Sequence, residues 1–121
     1  MSDSHDLGKQ GETVAARYLE DKGYSILDKN WTSGKTEIDI IAENDDVVAF
    51  IEVKTRSGNY KLSPMDAVTV PKQRAIIFAA DNYMRRKNID KECRFDIISV
   101  VSKGEEFVVD HIEGAFYPTL R

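Results

Sequence analysis

The alternation of apolar and polar residues along the chain predicts two long helices, one short helix and five strands. Apolar side chains recur at helical spacing over residues 6–22, and Gly23 provides a C-terminal stop. A short helix is expected from Ser63-Pro64 to about Val70, and a long one from Pro71 to about Arg86. Runs rich in Ile, Val and aromatic residues predict strands at residues 24–29, 37–42, 47–55, 94–101 and 106–112.

The long elements follow the order α-β-β-β-α-β-β. Strands on both sides of a crossover helix predict an α/β fold with a mixed sheet, on which the helices pack. A chain of 121 residues is long enough for one core but not for two, so we expect a single domain over residues 1–121.

Three charged residues interrupt the apolar second and third strands. Asp39 lies in the second strand, and Glu52 and Lys54 lie in the third. A buried charge costs several kcal/mol unless it is paired or binds a metal. Residues two apart share a strand face, so Glu52 and Lys54 point the same way. We therefore expect a compensating group beside them.

The register of this hairpin decides how close the two carboxylates come. A turn centred on Asn44 and Asp45 sets Asp39 opposite Phe50 and diagonal to Glu52. A bulge that shifts the register by two sets Asp39 directly opposite Glu52. In both registers the two carboxylates and the lysine lie on one patch of the sheet.

Two carboxylates this close repel each other unless a cation lies between them. Mg²⁺ favours oxygen ligands and is held in many sites by one or two carboxylates together with water and substrate phosphate. A lysine beside such an ion stabilises an attacking water or the charge that develops on phosphate. The structural alternative is a salt bridge between Glu52 and Lys54 on a half-exposed face of the sheet.

Residues of the two long helices supply further candidate groups. Glu12 borders the apolar stripe of the first helix, where it is either an exposed dipole partner or an outer group of the carboxylate site. Gln73 points inward at the start of the second, between Lys72 and Arg74. Cations at a helix N-terminus oppose the helix dipole, so these two indicate either a docked anion such as phosphate or a neighbouring carboxylate.

Other polar and aromatic residues favour structural roles. Trp31, in a loop predicted at residues 30–36, either stacks a base or, as we favour, closes an edge of the core. Asp96 interrupts the fourth strand and is expected to cap or support the site from behind. His111 alternates with apolar residues, which favours a packed core histidine. Residues 114–118 form an apolar tail that is expected to cover a sheet edge or a partner.

Composition favours a cytoplasmic protein. No apolar run approaches a membrane span, and the N-terminus lacks the apolar region of a signal peptide. The single cysteine, Cys93, fits a reducing compartment, and only two histidines disfavour a structural zinc site. The net charge of −4 counts against nucleic-acid binding, but residues 54–94 hold ten Lys or Arg against four acids. That basic segment either holds a polyanion or forms a solvated helix face.

The hairpin residues resemble a known active-site signature. Glu37-Ile38-Asp39, followed by Phe50-Ile51-Glu52-Val53-Lys54-Thr55-Arg56, looks like that of the restriction-endonuclease-like nucleases, the PD-(D/E)XK superfamily. More closely, the chain resembles the bacterial YraN-like uncharacterised protein family, which is similar in turn to the archaeal Holliday-junction resolvases. The landmarks of this resemblance outside the hairpin are Gly8-Lys9-Gln10-Gly11-Glu12, Ala15-Ala16-Arg17-Tyr18-Leu19, Gly23-Tyr24, Asn30-Trp31, Lys72-Gln73-Arg74, Arg94-Phe95-Asp96 and Ala115-Phe116.

The resemblance implies a three-layer α/β/α sandwich around a central mixed five-stranded sheet. It implies a Mg²⁺ (or Mn²⁺) site made by Asp39, Glu52 and the main-chain carbonyl of Val53, and it assigns Lys54 to the catalytic lysine.

The same resemblance assigns Glu12 to a helix-borne acidic partner and Gln73 to a supporting polar residue of the site. Thr36 departs from the glycine that the family usually has before the Glu-Ile-Asp run. A threonine narrows the approach of a phosphate there, but it removes no chemical group.

The expected function is that of a metal-dependent endonuclease acting on nucleic acid, with DNA of branched or irregular structure as the substrate. Arg56, Lys72 and Arg74 would guide the nucleic-acid backbone. Similarity to the dimeric resolvases also implies a homodimer. The alternative is a non-catalytic module that keeps the nuclease fold for binding nucleic acid or protein, which the acidic overall charge favours. A third interpretation is an interaction protein that uses its apolar tail.

Overall fold

The computed structural model of the protein describes residues 4–58 and 68–118, and within them the predicted order of elements is confirmed. The elements are α1 Ser4–Asp21, β1 Ser25–Ser33, β2 Thr36–Glu43, β3 Val47–Ser57, α2 Val70–Lys87, β4 Glu92–Lys103 and β5 Glu106–Phe116. Most of the short helix expected at Ser63–Val70 lies outside the described residues. Val70 itself begins α2, because Thr69 caps that helix by accepting a hydrogen bond from the Lys72 N–H.

Five strands form one sheet in the order β1-β2-β3-β4-β5. The β3–β4 pair is parallel and the other three pairs are antiparallel, so the sheet is mixed, and α2 is the crossover between the parallel strands. Two separate apolar clusters cover its faces. One includes Ala15 and Leu19 of α1, and the other includes Ile76 and Tyr83 of α2. The three-layer α/β/α sandwich is therefore confirmed.

Helix α1 lies close to the sheet because small residues occupy its buried stripe. Gly11, Ala15 and Leu19 are buried, as their spacing predicts. A Cβ atom at Gly11 would collide with the side chain of Thr55 in β3, so only glycine permits this approach. The helix ends at Asp21, and Gly23 terminates it from two residues beyond, with a φ of 98° that suits glycine. Close packing of α1 on β3 brings the first helical turns beside the third strand.

Two segments predicted as irregular belong to strands instead. β1 continues through Asn30 and Trp31, because β2 extends far enough to pair with it: Trp31 lies across from Ile38. Trp31 packs edge-on against Tyr83 with ring centroids 5.1 Å apart, which confirms that it closes an edge of the core. The prediction of an apolar tail at residues 114–118 is also corrected. Residues 114–116 form the last part of β5, and the Phe116 ring stacks on Phe95 inside the core.

A polar network centred on Asp96 is buried between α1 and the sheet. Asp96 has no exposed surface and accepts hydrogen bonds from Arg94 Nε at 2.9 Å and from the Gly114 N–H at 3.0 Å. His111 Nε2 lies 2.8 Å from its carboxylate, and His111 Nδ1 lies 3.2 Å from the Tyr18 hydroxyl. The expected buried histidine is confirmed, but it lies within this polar network. Asp96 therefore ties the end of β5 to β4, and it lies beside Ile51, the residue before Glu52, across the parallel ladder.

Burial alone would raise the pKa of Asp96, but the hydrogen bonds from His111, Arg94 and Gly114 outweigh it and hold that pKa below its ordinary value. An aspartate with a lowered folded-state pKa stabilises the fold above its unfolded pKa, and that stability is lost as the pH falls through the folded pKa.

No helix within the described parts of the chain is long and apolar enough to cross a membrane.

We predict that Asp96→Asn lowers the free energy of unfolding by about 3 kcal/mol at pH 7, because the half-buried Arg94 loses its ion pair with the fully buried Asp96 carboxylate. Urea denaturation followed by circular dichroism measures this difference. Asp110→Asn, on the exposed face of β5, is the matched control and should change stability by less than about 0.5 kcal/mol. Equal stabilities of the two variants would show that the network is dispensable.

Candidate functional site

The turn between β2 and β3 sets the register of the hairpin. The Asn44 side-chain oxygen accepts hydrogen bonds from the N–H groups of Asp46, at 2.8 Å, and Val47, at 2.9 Å. These bonds centre the turn on Asp45 and Asp46, one residue later than predicted. Ile41 therefore pairs with Phe50, and the predicted pairing of Asp39 with Phe50 is wrong.

With this register, Asp39 lies across from Glu52. Ile40 pairs with Ile51, and the next positions along the two strands are Asp39 and Glu52. This is the second of the two expected arrangements, reached through the turn rather than through a bulge. The two carboxyl-bearing residues are therefore neighbours on adjacent strands.

β2 and β3 separate at this point and leave a fork in the sheet. Residues 40–43 of β2 pair with residues 48–51 of β3. Before residue 40, β2 runs beside β1, and after residue 51, β3 runs beside β4. The Asp39 carboxylate spans the fork, since its Oδ2 accepts a hydrogen bond from the Val53 N–H at 2.8 Å. A residue in an extended strand directs its N–H and C=O toward the same edge, so the Val53 carbonyl also faces the fork.

The pKa of Asp39 lies well above its ordinary value. Burial and, to a lesser extent, the negative charges of Glu52, Glu12 and Glu37 together raise it to about 7, against the Val53 hydrogen bond that lowers it. Four acidic residues from α1, β2 and β3 therefore act on one another at the fork.

The ammonium partner of Glu52 comes from α2. Lys72 Nζ lies 3.0 Å from Glu52 Oε2, and the Glu52 side chain is only 13% exposed. The expected alternative, a salt bridge between Glu52 and Lys54, does not form, because Glu52 pairs with Lys72 instead. Lys54 is half-buried, and within residues 4–58 and 68–118 it has no hydrogen bond or ion pair. Its neighbour across the parallel ladder is Ser99, a fully buried serine.

Glu12 reaches the fork from α1, as one of its two expected roles requires. Its carboxylate oxygens accept hydrogen bonds from Asn30 Nδ2 at 3.1 and 3.2 Å, and the same nitrogen donates to Glu37 Oε2 at 2.9 Å. Asn30 lies in β1 across from Asp39, between the pairs Lys29–Ile40 and Trp31–Ile38. Asn30 and Glu37 were both missed as site residues. Glu37 carried a signal, since it lies two residues before Asp39 in the same strand.

The other predicted site residues lie at the margins. Gln73 Nε2 donates to the Val68 carbonyl at 2.8 Å, so this amide anchors the segment that leads into α2. Arg56 is exposed near the end of β3, where its Nη1 donates to the Thr55 carbonyl. Arg74 lines a groove on another side of α2. Of the two cations flanking Gln73, Lys72 forms an ion pair with Glu52. For Lys72, the expectation that a neighbouring carboxylate is its partner is therefore confirmed.

The donor set at the fork suits a hard divalent cation. Within the described ranges no three His, Cys, Asp or Glu side chains are grouped as a metal site. Mg²⁺, however, commonly takes one or two carboxylates and completes its shell with water and phosphate. Asp39, Glu52 and the Val53 carbonyl offer oxygen ligands alone, and the like charges that raise the pKa of Asp39 are those a cation would offset. These residues therefore fit Mg²⁺ or Mn²⁺.

The raised pKa of Asp39 predicts pH-dependent stability of the metal-free protein. Because the folded pKa of about 7 exceeds the unfolded value, ionisation of Asp39 opposes folding, increasingly as the pH rises from about 4 to 7. In EDTA, Asp39→Asn should therefore stabilise the protein by about 2 kcal/mol at pH 8.5 and by about half of that at pH 5.5.

Urea denaturation at the two pH values measures this effect, with Asp46→Asn, in the exposed turn, as the matched control. A stabilisation that is the same at both pH values would contradict the assigned ionisation.

Comparison with other sequences places the chain in a family. It is 48% identical over 120 residues to a UPF0102 protein of Phocaeicola vulgatus, covering 99% of each chain. It is 46% identical over 121 residues to one of Parabacteroides distasonis, covering 100% of each. A UPF0102 protein of Myxococcus xanthus is 41% identical over 116 residues, with 95% of this chain and 92% of that protein covered. Residues 11–100 match the family described as "Uncharacterised protein family UPF0102". The chain belongs to that family.

Proposed function

We propose that the protein is a metal-dependent endonuclease that hydrolyses phosphodiester bonds of nucleic acid, with DNA of branched or irregular structure as its substrate. One observation carries the proposal. At the fork between β2 and β3, Asp39 lies across from Glu52, with the Val53 main chain between the strands and Lys54 two residues further on the same face as Glu52. The resemblance to the restriction-endonuclease-like nucleases assigns these same four positions to the reaction.

Each side chain has a role that follows from its chemistry. Asp39, Glu52 and the Val53 carbonyl would hold Mg²⁺ or Mn²⁺. An ion held there would lower the pKa of its bound water and would offset the negative charge of the substrate phosphate. The Lys54 ammonium, free of other partners among the described residues, stabilises the charge on the attacked phosphate. Glu12 serves as an acceptor that orients water from the α1 side of the fork.

The cations around the fork serve to bind the substrate backbone. Lys72 neutralises Glu52 in this structure, and a substrate phosphate offers the same ammonium a second anionic partner. Arg56, exposed near the end of β3, extends this positive charge along the same side. Gln73 supports the site by fixing the start of α2, whereas Arg74 lines a groove on another side of that helix and is assigned to the dimer interface rather than to the substrate.

Cleavage assays test the proposal. We expect Mg²⁺- or Mn²⁺-dependent cutting of a four-way junction, a flap or single-stranded DNA, and we include duplex DNA and RNA of the same sequence. Asp39→Asn should abolish cutting, and Lys54→Ala should reduce kcat by about 10²-fold or more. Asp46→Asn and Arg86→Ala, which alter exposed residues, are the matched controls and should cut like the wild type.

The same panel identifies the alternative. Folded wild-type protein that cuts none of these substrates would contradict the proposal. If it then binds DNA in a salt-sensitive manner, and Lys54→Ala binds equally well, the non-catalytic module is the better description.

A homodimer is part of the proposal, and the exposed side of α2 supports it. Phe78 is 69% exposed and lines a groove of about 1050 Å³ together with Ile77, Arg74 and Asp81. In an antiparallel pair of α2 helices with the two-fold axis between Ile77 and Phe78, Arg74 of each copy faces Asp81 of the other. Phe78 then meets Ile77 of the second copy, so the surface is self-complementary in charge and apolarity.

Light scattering tests this arrangement. The wild type should have the mass of two chains, and Phe78→Asp should have the mass of one, because the substitution buries a charge at the centre of the interface. Phe107→Asp, at an exposed position of β5, is the control and should leave the dimer intact. A monomeric wild type would exclude the dimer and leave the proposed chemistry unaffected.

A further inference from the structure

Asn30 links two acidic residues that come from different elements. Its Nδ2 donates to both carboxylate oxygens of Glu12 in α1, and to Glu37 Oε2 in β2, with all three distances between 2.9 and 3.2 Å. The Asn30 backbone lies in the left-handed region with φ of 52°, which asparagine tolerates better than most residues. The positive φ and the hydrogen bonds of the side-chain amide therefore both favour asparagine at position 30.

The amide addresses a specific electrostatic problem. Glu12 and Glu37 carry like charges and approach the same nitrogen, and both act on Asp39. An amide NH₂ has two hydrogens and no net charge, so it can hold two carboxylates without neutralising them. A lysine in its place would form an ion pair and remove the negative charge that attracts a cation to the fork.

Without this amide, the packing of α1 alone would not fix Glu12. The contact of Gly11 with Thr55 sets the distance between the helix and β3. A glutamate side chain, however, retains several rotamers at a half-exposed position, and repulsion from Glu37 favours those that turn toward solvent. The Asn30 hydrogen bonds are the interaction that selects the rotamer directed at the fork.

We propose that Asn30 is a positioning residue that holds Glu12 and Glu37 beside Asp39, so that Glu12 accepts hydrogen bonds from the water around the bound cation. This inference rests on the proposed function. In this positioning role Asn30 contacts neither the substrate nor the metal, and it acts only through Glu12 and Glu37. The position of Glu12 thus depends on a residue of the first strand that lies 18 residues later in the chain.

Mn²⁺ binding to the full chain, followed by electron paramagnetic resonance without substrate, tests the inference. Asn30→Gly keeps a residue suited to positive φ and removes the amide, so the Kd for Mn²⁺ should rise about 10-fold. Glu12→Ala should weaken binding to a similar extent. The double variant should bind no more weakly than either single variant, since both remove the same interaction.

Asn88→Gly is the matched control. Asn88 has a φ of 55°, close to that of Asn30, but it caps the distant C-terminal end of α2. The substitution should leave Mn²⁺ binding unchanged, which separates the loss of the amide from the change of backbone. In cleavage assays Asn30→Gly should lower kcat and leave KM unchanged, because Asn30 contributes no contact to the substrate.

The outcomes distinguish this inference from the proposed function. Mn²⁺ binding by the wild type that Asp39→Asn abolishes would support the metal site. If Asn30→Gly then binds Mn²⁺ as well as the wild type does, the positioning role of Asn30 is excluded while the metal site is retained. Additive losses in the double variant would also exclude it, since Asn30 would then act independently of Glu12. Absence of Mn²⁺ binding and of cleavage in the wild type would overturn the proposed function and this inference together.

Discussion

The two hydrogen bonds accepted by the Asn44 side chain fix the geometry of the candidate site. They place the turn on Asp45 and Asp46, and that turn sets which residues of β2 and β3 face each other. A turn displaced by one residue would put Asp39 across from Phe50, and the carboxylates would be only diagonal neighbours. The register that forms sets Asn30, Asp39 and Glu52 in one row across three strands.

Two aspartates in this fold differ in the sign of their pKa shift, and the difference separates their roles. Hydrogen bonds from Arg94, His111 and the Gly114 N–H lower the pKa of buried Asp96, so this charge is compensated within the fold. Among the residues that the structure describes, Asp39 has one hydrogen-bond donor, the Val53 N–H, and three glutamates act on it, so its pKa rises to about 7. A carboxylate left uncompensated by the fold is typical of a functional position, whereas a compensated one is typical of a structural position.

Sequence patterns predicted the elements well because helical and strand periodicity are local properties. The stripe of Gly11, Ala15 and Leu19, the hairpin strands and α2 all lie where the apolar spacing puts them. Register was less accessible, since the polar run at residues 43–46 suits turns with two different centres. The extension of β1 through Asn30 depends on pairing with β2, and no local signal of strand propensity marks an asparagine with positive φ.

The partners of the site residues were the least predictable part, because they come from other layers of the sandwich. Glu52 has Lys54 two positions away, but its ion pair is with Lys72, which the crossover helix brings over the same face of the sheet. Glu12 is held by Asn30, an exposed β1 residue that sequence reasoning placed in a loop.

The fork thus receives charged groups from α1, β2, β3 and α2, and a neutral amide from β1. Since the helices lie on opposite faces of the sheet, these groups meet only where β2 and β3 separate. The break in the sheet is therefore what makes the site: a continuous ladder at Asp39 and Val53 would use the main-chain groups in pairing and keep the two faces apart.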